Sequence, residues 1–71
     1  MTLSAVLNPE DDGYVSLCPE LDIASQGDTV EEALANLKEA LEGFFETASP
    51  EEVRTRLKKT SLFTRVEVEF P

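Results

Sequence analysis

The chain is predicted to be an α+β domain: an antiparallel sheet with one long helix packed on one face, in the order β-β-β-α-(short α)-β. Three observations predict it. Residues 26 to 45, QGDTVEEALANLKEALEGFF, carry apolar side chains at helical spacing behind a capping sequence. Before them come short runs rich in strand formers and broken by turn residues, and residues 63 to 70 alternate apolar and polar. The 71 residues make a single domain with neither repeat nor linker.

Taken in order, residues 2 to 8, TLSAVLN, place Leu3, Ala5 and Leu7 on one face of a first strand, although Val6 interrupts the alternation. Pro9-Glu10-Asp11-Asp12-Gly13 is dense in turn formers, and Asp-Gly favours a tight hairpin reversal. The second strand is Tyr14 to Cys18, ended by Pro19, which has no amide hydrogen to give a ladder. A short third strand around Ile23, Ala24 and Ser25 is predicted because three strands give a sheet that a helix of about 17 residues, roughly 25 Å long, can cover.

Gly27 supplies the bend before the helix. Thr29 is the expected N-cap, with its hydroxyl on the amide of Glu32 and the Glu32 carboxylate reaching back to the backbone of Thr29. Val30, Ala33, Leu34, Leu37, Ala40, Leu41, Phe44 and Phe45 then form the stripe that must lie against the sheet. Ser49-Pro50-Glu51-Glu52 starts a second helix, running to about Lys59 and read as a surface connector, with Val53 and Leu57 as its apolar pair. The last strand, Phe63 to Phe70, sets Val66, Val68 and Phe70 against Arg65, Glu67 and Glu69. It can pair beside the first strand of its own sheet or with another copy of the chain.

Charge narrows the function. Six basic against fifteen acidic residues give −9, and the imbalance is uneven: residues 1 to 46 hold eleven carboxylates and one lysine, residues 47 to 71 four carboxylates and five bases. Such a body repels phosphate backbones and anionic membranes and suits a basic partner. No segment is long and apolar enough to span a bilayer, MTLSAVLNPEDD lacks the features of a signal peptide, and a cytoplasmic setting is expected.

Catalysis finds little support. With no histidine and one cysteine, Cys18, a zinc site of nitrogen and sulfur ligands is not expected, and no base is at hand to activate Cys18 or a serine. Asp11, Asp12, Glu20, Asp22 and Asp28 could serve metal-dependent hydrolysis, but solvated loop charges account for them more simply. The bases Arg54, Arg56, Lys58 and Lys59 complement the end of the second helix rather than forming a nucleic-acid surface. No enzyme activity, cofactor or metal is predicted.

Gly13-Tyr14, Pro19-Glu20 and GDTVEEAL with its following NLKEAL, at these separations, resemble the HicB-like antitoxin domain over residues 11 to 46. The resemblance implies a partial ribonuclease H-like fold, homodimeric or larger, that binds and occludes a small basic ribonuclease toxin of the HicA kind. Many relatives carry a DNA-binding domain after this core; none follows here, so direct DNA binding is not expected. Asp22-Ile23 also replaces the Pro-Gly-Cys type segment of many relatives, so contacts of that loop do not carry over. Tyr14, Glu20, Asp22 and Asp28, around the proline bend and the helix entrance, are the candidate partner-binding residues. The alternative is a homo-oligomeric regulatory or ligand-binding module of the same fold without a toxin.

Overall fold

The computed structural model describes residues 1–59 and 64–71. Three antiparallel strands, β1 (Val6–Glu10), β2 (Gly13–Cys18) and β3 (Ile23–Gly27), form a sheet in the order β1-β2-β3, followed by the helices α1 (Val30–Thr47) and α2 (Pro50–Lys58). This is the α+β architecture expected.

The first hairpin closes differently from the sequence reading. Glu10 pairs with Gly13, so Pro9 and Glu10 belong to β1 and the connection is Asp11-Asp12, with Asp11 in the left-handed region at φ 49°. Aspartate tolerates that conformation through its short polar side chain. Gly13 is a strand residue, and close approach explains it: a Cβ there would lie 2.6 Å from the Gly27 carbonyl oxygen. Proline in β1 fits an edge strand, where one face of the ladder lacks a partner.

One sheet face carries the core. In register, Leu7, Ser16 and Ser25 stand side by side, and Cys18 stands opposite Ile23. Ser16, Cys18, Leu21, Ala33 and Leu37 are the buried residues among those described, with Leu3, Ile23, Leu41, Phe44 and Leu57 packed around the centre. The expected stripe of α1 is graded: Ala33 and Leu37 are buried, Val30, Ala40, Leu41 and Phe44 half-buried, and Leu34 and Phe45 lie exposed at its flanks. So small a core is what a short chain affords.

The α1 cap forms at Thr29, whose Oγ1 accepts from the Glu32 amide at 3.1 Å. The reciprocal bond falls one residue earlier than expected, the Asp28 amide donating to Glu32 Oε1 at 3.1 Å. Gly27 is required by proximity, since a Cβ would meet the Ala33 nitrogen at 2.5 Å and the Glu32 carbonyl carbon at 2.8 Å. The helix thus starts directly on the β3 backbone. It packs most on β3, less on β2, and scarcely on β1.

Helix α2 starts where predicted, with Ser49 Oγ accepting from Glu52 N at 3.1 Å and Pro50 in the first turn. It is more than a connector. Leu57 joins the core cluster, and Arg56 turns inward to donate from Nη1 to the Leu21 carbonyl at 2.9 Å while its guanidinium lies 5.0 Å from the Phe44 ring centre. For Arg56 this inward clamp replaces the simple helix-end complementarity read from the sequence.

The expected last strand differs most. Phe63 lies outside the described residues, and residues 64–71 form no ladder, leaving Val66, Val68 and Phe70 82, 79 and 93% exposed. Alternation records that a strand has one apolar face, but it does not supply an edge to pair with. Burying such side chains would gain about 1.5–3 kcal/mol each. The chain is correspondingly drawn out: its radius of gyration is 14.4 Å, against about 11 Å for a compact domain of this length.

Candidate functional site

The four candidate residues divide between the two ends of β2. Six residues of strand separate those ends by roughly 17–20 Å, so Tyr14 and Asp28 share one depression while Glu20 and Asp22 share another. They do not converge on one site.

The first depression follows from hairpin register. Pairing Glu10 with Gly13 and Tyr14 with Gly27 sets the Asp11-Asp12 turn beside the entrance of α1. The result is a concavity of about 610 Å³ whose wall includes Glu10, Asp11, Asp12, Tyr14, Asp28 and Glu32. Five carboxylates and no basic side chain line it. Glu32 is engaged by the Asp28 amide, and Asn36 Nδ2 donates to the Gln26 carbonyl at 2.7 Å. Among the described residues, the carboxylates of Glu10, Asp11, Asp12 and Asp28 accept no hydrogen bond from the protein. Half-buried Tyr14 contributes an aromatic surface in their midst.

The second depression, about 690 Å³, lies between the β2–β3 connection and α2 and is lined by Leu17, Pro19, Glu20, Asp22 and Arg56 among others. Its charges are mixed, and two of them, Glu20 and Arg56, are bonded to the protein itself. Glu20 Oε2 accepts from the Ser4 amide at 2.9 Å, and Glu20 Oε1 accepts from the Cys18 thiol at 3.5 Å. Hydrogen bonding from the Ser4 side chain, foremost, and then from backbone amides holds the Glu20 carboxyl below its ordinary range. Burial pushes the Cys18 thiol up, so it stays protonated and serves as donor. Asp22, at φ 55°, shapes the turn that returns the chain into β3.

Glu20 therefore ties the amino-terminal segment to the proline bend, and Arg56 ties α2 to the same bend. Sequence reasoning missed both bonds because each joins residues far apart in the chain. It passed over Glu10 and Glu32 as members of the acidic wall, a grouping visible only once β2 is laid antiparallel to β3. No group of three or more His, Cys, Asp or Glu side chains among the described residues is arranged to hold a metal ion. No helix among them is long and apolar enough to cross a membrane.

A three-stranded sheet backed by one long helix, with an acidic aromatic concavity at the helix entrance, defines a small α+β domain. The chain is 35% identical over 71 residues to a UPF0150 protein of Helicobacter pylori (strain J99 / ATCC 700824), covering 99% of both chains. It belongs to the UPF0150 family. No family model matches the chain, and no solved structure matches it.

Proposed function

We propose that this protein is a non-enzymatic antitoxin that binds and occludes a small basic ribonuclease toxin of the HicA kind. The observation that carries the reading is the concavity walled by Glu10, Asp11, Asp12, Asp28 and Glu32, with no base among its lining residues. Carboxylates that the fold leaves without internal partners are available to guanidinium and ammonium groups, and Tyr14 adds apolar area that a basic loop can lie across. The HicB-like resemblance of residues 11 to 46 supports the same reading, and the UPF0150 relationship extends over the whole chain.

Mechanistically, the field of an acidic body draws a basic partner into encounter faster than diffusion of neutral surfaces would, and loses that advantage as salt rises. Docking then covers the cationic surface a ribonuclease needs for RNA, so inhibition requires no chemistry. Co-expression with a small basic protein encoded beside this gene tests the proposal: a stable complex and rescue of growth are expected. Absence of both overturns it. The triple change Asp11→Asn, Asp12→Asn and Asp28→Asn is expected to slow association about tenfold at low salt without altering thermal stability. An unchanged rate would remove the concavity from the interface.

A further inference from the structure

The apolar groove between the segment leading into β1 and α1 has no occupant among the described residues, and the same chain carries a segment shaped to fill one. We propose that two copies of the chain exchange their carboxy-terminal arms, residues 64–71 of each adding as a fourth strand along the β1 edge of the other. Val66, Val68 and Phe70 then lie over the groove between α1 and the segment that leads into β1.

Five observations choose this occupant and this edge. Residues 65–70 alternate strictly, which is the pattern of a strand with one dry face, yet all three apolar members stand in water in the single chain. Of the two sheet edges, β3 lies beneath α1 and its Gln26 carbonyl already accepts from Asn36, whereas α1 scarcely covers β1. At the approach to β1 lies a groove of about 240 Å³ lined by Leu3, Ala5, Leu34, Leu37 and Leu41, where Leu34 is exposed and Leu41 only half-buried.

Charge points the same way. In a protein of net charge −9, this groove contains no carboxylate, and its one charged side chain is Lys38. It is the region of the body least hostile to an incoming segment that carries Glu67 and Glu69. The elongated shape matters too: the molecule extends 50 Å along its longest axis against 18 Å along its shortest, as a body with a projecting arm does. Reciprocal exchange uses identical contacts twice and closes as a two-fold dimer, leaving neither arm nor β1 edge to recruit further chains.

The test is the mass of the full chain in solution, by light scattering and sedimentation at low micromolar concentration. Two chains, each of 7.8 kDa, are expected. The double change Val66→Asp and Val68→Asp should weaken the dimer by about a hundredfold or more and give a one-chain mass with helical circular dichroism intact. Both positions are exposed in the single chain, so loss of folding is not anticipated there. Leu34→Lys, on the groove wall, should do the same from the opposite side of the contact. A one-chain mass for the unsubstituted protein overturns the proposal, because the arm would then be either unpaired or folded onto its own body. A two-chain mass retained by either variant overturns it as well, placing the dimer contact on another surface. The measurement involves no toxin, so its outcome is separate from that of the antitoxin reading.

Discussion

The two ends of β2 are built from similar residues and put to opposite uses. At the Asp11-Asp12 end, carboxylates gather around Tyr14 and most remain without protein donors. At the Pro19 end, Glu20 receives the Ser4 amide and the Cys18 thiol, while Arg56 reaches the Leu21 carbonyl. Charge of the first kind is available to a partner; charge of the second kind is fastening. An acidic residue near a bend therefore says little until its donors are counted.

Substitutions at five positions test this division. The largest effect is expected from Gly27→Ala at the acidic end, where the new methyl meets helix backbone below 3.0 Å; a loss of about 3 kcal/mol in urea unfolding is anticipated. A neutral result would mean that α1 is free to shift away from β3. Next, Arg56→Ala should cost about 2 kcal/mol by removing a charged donor from the Leu21 carbonyl and a cation from the Phe44 ring. Arg56→Lys should not restore it, because a lysine lacks the planar fork.

Thr29→Ala removes the α1 cap and should cost about 1 kcal/mol, read as a lower thermal midpoint. Glu20→Gln is smaller and depends on pH. A carboxyl whose pKa is lowered on folding stabilises the fold above its ordinary value of 4.5, and that stabilisation fades as pH falls through the lowered value. Melting curves of the variant and the parent should differ at neutral pH and converge in acid; a constant gap would assign Glu20 a role other than its charge. Last, Asp12→Asn should change stability by less than about 0.5 kcal/mol, since the fold does not use that carboxylate. A clear stability change there would erase the contrast between the two ends.

Much of this architecture could be read from local pattern. The Thr29 and Ser49 caps, the bounds of both helices to within a residue or two and the second strand follow from rules acting over a few residues. What escaped depends on distance in the chain. The bend at Asp11-Asp12 rather than Asp12-Gly13 leaves Gly13 in the strand, where the Gly27 carbonyl lies too close for a side chain, and Glu20 is bonded because Ser4 lies beside it. Tyr14 and Asp28 were placed together, as the strand pairing requires, but Glu20 and Asp22 were assigned to the same neighbourhood and stand at the far end of the strand. Residues 65–70 show the limit most plainly, for a pattern of side chains carries no address for the edge it will meet.

Ser16 supplies such an address for the long helix. Its hydroxyl is buried and donates to the Ala33 carbonyl at 2.9 Å, among otherwise apolar buried side chains. Apolar contacts are tolerant of sliding. Advancing the helix by one residue would shift it about 1.5 Å and turn it about 100°, leaving a dry donor without an acceptor. Such a vacancy costs more than the bond itself contributes. With few side chains fully enclosed, the cohesion of the domain comes from its oily atoms, while the choice of one docking among near equivalents comes from this buried oxygen, aided by Asn36 on the Gln26 carbonyl.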